Sequence, residues 1–282
     1  MISIIVVNYG RKDLLRECLD SARAQSLRDM EMIVVDNASV DGSAEMVMAR
    51  YPEVRLIRNT RNSLFCEAQN QGIEASRGDF ILCLNSDCAL DKDYLKDAAA
   101  AFGIDEKIGM VSGKILRPDK KTIDSTGLFL GRDRKAVERG YGKEDRGQYD
   151  APGYVFGVSG ACAFFRRAAL TDVKDRYGYF DRRFGMYYED LDLCWRARKR
   201  GWRAYYEPKA LAYHARSGAS AARADKALLR MYVFNRYRCM RKNDSLSGVL
   251  FNLPFILLYD LKMWPYFLFR QLGPSAGSGP SC

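Results

Sequence analysis

Three carboxylates fall within four positions at Glu189, Asp190 and Asp192, inside the stretch MYYEDLDLCWRARKRGW over 186–202. Leu191, Trp195 and Arg198 recur behind them at helical spacing, and Gly201 stands where a helix C-cap belongs. The acids therefore occupy a first helical turn, where unpaired N–H groups and the helix dipole favour negative charge. Crowding raises the pKa of one carboxyl, and a group so tuned can take a proton from a hydroxyl. The same residues also suit plain helix stability, with Asp192 and Arg196 paired at i,i+4. Asn85-Ser86-Asp87 closes an apolar run. A carboxylate there can ligate a divalent cation that also holds a diphosphate, or merely close an Asx turn. Asp36 closes a second such run, placed to accept hydrogen bonds from a base or ribose, or to cap a helix. His214, the single histidine, follows a short apolar stretch.

The elements that must position these residues are legible. Strands read at 3–7, 32–35, 54–59 and 80–84, the first two as buried runs, alternating with helices at 13–25, 44–50, 67–76 and 94–102. The rhythm predicts an α/β fold with a mostly parallel sheet and helices on both faces. Ligands bind such sheets beyond the carboxyl ends of the strands, so Asn8, Asp36, Asn59 and Asn85–Asp87 should converge on one crevice. Further on, 110–116 reads as a strand and 128–153 as loops or a hairpin. The stretch 154–166 reads as a strand pair or a strand with a glycine bend, and 204–206 and 211–213 as short strands.

The chain has 282 residues, 45 Lys and Arg against 35 Asp and Glu, and a formal charge of +10, which favours anionic partners. Its eight cysteines form no C-x-x-C pair and sit in apolar contexts, so buried free thiols are expected rather than a disulfide framework. The N-terminus lacks the basic and long apolar regions of a signal peptide, so a cytoplasmic start is expected.

Beyond Ser220, basic residues alternate with apolar ones, followed by GVLFNLPFILLYDLKMWPYFLFR, broken by Pro254, Asp260, Lys262 and Pro265. A spanning helix needs roughly 20 uninterrupted apolar residues. The segment 221–272 is therefore expected to lie in the membrane interface, with Trp264 and Tyr266 at headgroup level. A helix pair packed on the domain or in a homodimer is the alternative. No nucleic-acid recognition motif accompanies the basic residues. The stretch 273–282 reads as a flexible tail.

SIIVVNYGRKDLLRECLDS, MIVVDNASVDGS, AQNQGIEASRGDFILCLNSD, GVSGACAFFRRAAL, GYFDRRFGMYYEDLDLCWRARKRGW and LAYHARSGAS run in order from Ser3 to about Ser220. Together they resemble the family 2 glycosyltransferases of the GT-A fold, and within them the bacterial rhamnosyltransferase-like branch. The resemblance implies a GT-A domain over 1–220, nucleotide-binding to about 100 and acceptor-binding and catalytic beyond. It also implies a nucleotide-sugar donor, one Mg²⁺ or Mn²⁺ ion and inversion at the anomeric carbon. Asn85-Ser86-Asp87 falls at the family's D-x-D motif, making Asp87 the metal carboxylate and placing Asn85 and Ser86 at the donor. Asp36 corresponds to the nucleobase reader, with Asn37 beside it and Asn8 and Tyr9 lining the same pocket. Asp190, paired with Glu189, matches the catalytic base, and His214 falls where some relatives place a ligand to metal or diphosphate. Trp195 and Asp192 are assigned to the acceptor side. Asn62 and Asn70 carry over to the donor from a run that is glycine-rich in relatives but reads NSLFCEAQNQG here. The larger side chains leave the donor open, with dTDP-rhamnose first and a UDP-sugar second. The implied acceptor is a polyprenyl-diphosphate-linked saccharide at the inner face of the cell membrane. A nucleotidyltransferase would need a basic glycine-rich loop near the N-terminus, which NYGRKDLL is not. A non-catalytic nucleotide-sugar or membrane-binding module is the remaining alternative, and turnover separates it.

Overall fold

The apolar runs of the first hundred residues form the parallel half of one sheet in the computed structural model, which describes residues 1–217 and 225–272. The order is β1 (Ile2–Asn8), α1 (Lys12–Arg23), β2 (Met30–Asp36), α2 (Ser43–Arg50), β3 (Arg55–Arg58), α3 (Leu64–Ala75) and β4 (Phe80–Asn85). β1 lies between β2 and β4, and β3 flanks β2, all parallel. Period-2 alternation divides β1 between two cores. Ile4 and Val6 pack with Leu15, Leu19 and Val47 of α1 and α2, whereas Ile5 packs with Cys66 and Ile73 of α3. Asn8 pairs with Asp36, Asp36 with Arg58 and Val7 with Asn85, so the polar strand ends stand in one row. These polar ends meet along one edge of the sheet, as the sequence predicts.

The remainder is β5 (Cys88–Leu90), α4 (Tyr94–Ala101), β6 (Ile108–Leu116), β7 (Ile123–Ser125), β8 (Leu128–Leu130), β9 (Ala136–Glu138), β10 (Gly153–Val155), β11 (Cys162–Arg166), α5 (Arg167–Val173), α6 (Glu189–Lys199), β12 (Arg203–His214), α7 (Lys226–Asn243) and α8 (Leu246–Leu272). The sheet runs β10-β12-β6-β11-β4-β1-β2-β3, with β5 on β12 and β7 on β6. β11 is antiparallel to both its neighbours, while β6 and β12 are parallel. β8 and β9 form a separate hairpin within the stretch expected as loops or a hairpin.

Three readings change. The stretches 204–206 and 211–213 belong to one strand, β12, whose register shifts between Glu207 and Leu211, a bulge that accommodates Pro208. Two strands do arise within 154–166, but they do not pair: β10 joins β12, and β11 inserts between β4 and β6. α8 continues for 27 residues through Pro254 and Pro265 rather than breaking. Each proline forfeits a helix hydrogen bond, but the turns on either side carry on. The helix is about 40 Å long, and by length and composition it is apolar enough to cross a membrane. Leu250, Phe251, Leu261 and Phe269 are each more than half exposed along it. Cys18, Cys66, Cys83, Cys88, Cys162, Cys194 and Cys239 are buried and free, as their contexts predict. Gly218, the boundary expected at 220 and the tail over 273–282 lie outside the described residues.

Candidate active site

α6 begins at a turn that the chain must force. Tyr187 and Tyr188 both have φ of 68°, a left-handed conformation that costs a bulky residue on the order of 1–3 kcal/mol. α7 holds it: Asn235 Nδ2 donates to the carbonyls of Phe184 and Met186 at 2.8 Å and of Tyr187 at 3.0 Å. The turn sets Asp190 at the helix start, half-buried, with Oδ1 accepting from the Leu191 N–H at 2.7 Å and Oδ2 from the Gly160 N–H at 3.0 Å. The next residue, Ala161, accepts the Asn85 N–H at 2.9 Å. One loop therefore carries both the Asp190 carboxylate and the end of β4.

The three acids of this turn have different environments. Glu189 is 7% exposed, and one of its oxygens has no hydrogen-bond partner among the described residues. Burial, then the charges of Asp190 and Asp192, push its carboxyl well above the usual range. Asp190 is also raised by burial, but backbone N–H groups favour its charged form. The two backbone N–H groups make Asp190 the better placed of the pair to carry charge. Asp192 must be corrected. It is fully buried and bonded to Arg196 at 2.9 Å, Lys242 at 3.1 Å and Asn243 at 2.8 Å. With no surface to offer an acceptor, it fastens α6 to α7. Trp195 is partly buried edge-on to Phe156, with ring centroids 6.1 Å apart, so it extends the core of that side.

His214 ends β12 between two carboxylates. Its Nε2 lies 3.2 Å from Asp87 Oδ1 and its Nδ1 2.8 Å from Asp124 Oδ2. Burial lowers its pKa, but bonds to the two aspartates overcome this and carry it to about 9. Against its own burial, Asp87 is held well below the usual carboxylate range by His214 and by Ser217, whose N–H and hydroxyl donate to Oδ2 at 2.9 and 2.7 Å. Arg216 also pairs with Asp124. Asp87, Cys88 and His214 present donor atoms within 4.8 Å of one another. Carboxylate and imidazole suit a hard or borderline divalent cation. The second ring nitrogen bonded to Asp124 matches the outer shell of a metal-ligating histidine. The Cys88 thiol, donating to the Ala161 carbonyl, stands outside the set.

Sequence reasoning missed Asp124 and Glu138, which have no motif around them and are recruited by tertiary packing. Glu138, on β9, accepts from the hydroxyls of Ser159 at 2.8 Å and of Ser125. Burial raises it to about 7, against those bonds and with the Asp190 charge adding to the rise. Between about 4.5 and about 7 the folded chain keeps a proton here that the unfolded chain has lost, so stability falls as pH rises through that window. The loss is on the order of 3 kcal/mol. Urea midpoints at pH 5 and 7.5 should show the fall, and Glu138→Gln should shrink it; an unchanged difference refutes this role.

A sequence profile for glycosyl transferase family 2 matches residues 3–174. The chain belongs to glycosyl transferase family 2. It is 27% identical over 222 residues to the poly-beta-1,6-N-acetyl-D-glucosamine synthase of Staphylococcus aureus (strain MSSA476), covering 75% of this chain and 49% of that protein. It thus spans about half the length of that relative. It is 28% identical over 241 residues to the N-acetylglucosaminyl-diphospho-decaprenol L-rhamnosyltransferase of Mycobacterium tuberculosis (strain CDC 1551 / Oshkosh), covering 76% of each. Among solved structures, a mannosyltransferase from Pyrobaculum calidifontis in complex with GDP-Man and Mn²⁺ superposes with a TM-score of 0.64 at 20% identity, over 99% of this chain and 76% of that one. That likeness shows the common GT-A fold.

The donor-side residues of this family 2 chain divide in the same way as its acids. Asn8 donates to Asp36 Oδ1 and to Ser39, each at 3.1 Å, and its own oxygen is buried without a partner among the described residues. Asp36 Oδ2 accepts the Ser39 N–H at 3.0 Å, and each carboxylate oxygen keeps a second lone pair for a base. Tyr9 is 58% exposed beside them. Asn85 is half-buried and Ser86 buried at the end of β4. Asn37 and Asn70 are corrections. Asn37 is spent on Asn59 and Ser63, both at 2.8 Å, which ties the ends of β2 and β3 to α3. Asn70 exchanges two bonds, at 2.8 and 2.9 Å, with the Phe180 backbone and pins the loop that leads to α6. Asn62 is exposed and closes a turn on Leu64 at 2.9 Å. Arg11 bridges the loop after β1 to the Ser217 carbonyl at 3.2 Å, joining the two sides of the crevice.

Proposed function

We propose that this chain is an inverting, cation-dependent glycosyltransferase that moves a sugar from a nucleotide-sugar to a hydroxyl of a lipid-linked saccharide, at the inner face of the cell membrane. The observation that carries the reading is the shared loop, with Gly160 holding Asp190 and Ala161 holding Asn85. A proton acceptor thereby faces the strand end that carries Asp87. Asp190 takes the proton of the acceptor hydroxyl as that oxygen forms its bond to the anomeric carbon, from the face opposite the leaving diphosphate. The bond between the anomeric carbon and the diphosphate oxygen breaks in the same step. Asp87 and His214 would hold Mg²⁺ or Mn²⁺, which when bound neutralises the charge gathering on the leaving diphosphate. Asn8, Tyr9 and Asp36 receive the nucleobase, while Asn85 and Ser86 meet the ribose and phosphates. The mycobacterial relative is named an L-rhamnosyltransferase, which supports a rhamnose donor; dTDP-rhamnose is the first to try and a UDP-sugar the second.

A donor panel tests this. The purified chain is given Mg²⁺ or Mn²⁺, dTDP-, UDP- and GDP-sugars and a polyprenyl-diphosphate saccharide, and nucleoside diphosphate release is scored. Release from one donor, abolished by EDTA, is the expected result. Silence from every donor with acceptor present would overturn the transferase reading in favour of a binding module.

A further inference from the structure

The β8–β9 hairpin has two faces. Glu138 turns inward to Ser125 and Ser159. Its neighbour Val137 and the cross-strand partner Phe129 are 42% and 41% exposed on the other face. α8 is tied to the hairpin through Arg236 of α7, which is buried and bonds both the Asp133 carbonyl in the hairpin turn and Asp260 of α8. Between hairpin and helix lies an open recess of about 750 Å³, lined by Val137, Phe255, Leu258 and Tyr266 and by the charged Arg132, Asp133, Lys135 and Lys262. The volume is that of a ligand site.

Its charges are unevenly matched. Lys135 is paired with Asp133 at 3.4 Å, whereas Arg132 and Lys262 pair with no carboxylate among the described residues. The Arg132 guanidinium is held against the wall by stacking over Phe255, 3.7 Å from the ring centroid. Two unmatched cations on one apolar recess complement a ligand with two linked anionic groups and a long apolar tail. The phosphodiester of a headgroup such as phosphatidylglycerol brings one charge, so a diphosphate lipid is the better match to two cations. Phe255 and Leu258 line the recess and are also among the exposed apolar residues of α8, as a ligand delivered from a bilayer requires.

We propose that this recess seats the polyprenyl diphosphate of the acceptor, with the diphosphate on Arg132 and Lys262 and the first isoprene units along Val137, Phe255 and Leu258. The proposal rests on the transferase reading for its acceptor class, and it places the saccharide across the hairpin from the lipid, on the side of Glu138 and Asp190.

The test is direct binding by the full chain in EDTA, with farnesyl diphosphate as probe and equilibrium dialysis as readout. Farnesol, inorganic diphosphate and phosphatidylglycerol vesicles form the other arms. Farnesyl diphosphate should bind more tightly than farnesol or inorganic diphosphate. Arg132→Gln/Lys262→Gln should weaken it about tenfold or more, since two charge-assisted contacts are lost. Arg132→Lys/Lys262→Arg should restore it, and Asp190→Asn should leave it unchanged. Equal binding to wild type and the Gln variant, or displacement of the probe by the vesicles, overturns the proposal. Because the readout is binding, a silent donor panel with the binding intact removes the transferase reading alone. An active panel without the binding removes the recess alone.

Discussion

Asp190→Asn should lower turnover about a thousandfold, within the range that a positioned general base supplies, while donor affinity and melting temperature stay near wild type. The amide oxygen can keep one of the two backbone N–H bonds at the α6 start, and the other is lost, which costs about 1 kcal/mol and moves melting by only a few degrees. Losing the charge beside Glu189 removes one cause of that residue's raised pKa and offsets part of the cost. What disappears is the site that receives the acceptor's proton. Nucleoside diphosphate release with saturating acceptor is the measurement, with donor titration alongside. Turnover within tenfold of wild type would move the base elsewhere and leave Asp190 as a loop anchor.

Two residues along the same turn, Asp192→Ala should do the reverse: destabilise the chain by about 3 kcal/mol and spare chemistry per folded molecule. Removing one partner of a buried ion pair strands the other, and Asp192 serves Arg196, Lys242 and Asn243 at once. Lys242 keeps Asp181 at 2.7 Å, and Arg196 keeps the carbonyls of Val173 and Tyr179, which holds the cost at the lower end for a broken buried pair. At about 2–4 °C per kcal/mol for a chain of this size, calorimetry should show a melting drop of about 10 °C. Neutralising Lys242 as well, in Asp192→Asn/Lys242→Met, should recover part of it. A drop under 2 °C with a raised acceptor KM would restore Asp192 to the acceptor site.

These neighbouring acids show where sequence reading stops. Both occupy the first turn, and spacing alone placed them there correctly. Which one meets the cleft depends on the rotation of α6, set by the left-handed Tyr187-Tyr188 turn and by Asn235, some 45 positions away in sequence. Asn37 and Asn70 fail for the same reason. Their positions suggested a donor site, but their amides are consumed by Ser63, Asn59 and Phe180, and such partners have no local signature.

The sequence by itself determined the parallel half of the sheet, because β1, β2 and β4, largely buried, read as unbroken apolar runs and helical periods alternate with them. It also determined the row of polar strand ends, because each run ends in Asn or Asp, and the buried free thiols. Only the tertiary structure decided that His214 lies between Asp87 and Asp124, that Glu138 reaches the neighbourhood of Asp190, and that α8 runs unbroken beside the hairpin. The physical reason is range. Periodicity and turn chemistry act over a few residues, whereas each of these features is a contact between segments tens of residues apart, fixed by packing and by the need to satisfy buried polar groups.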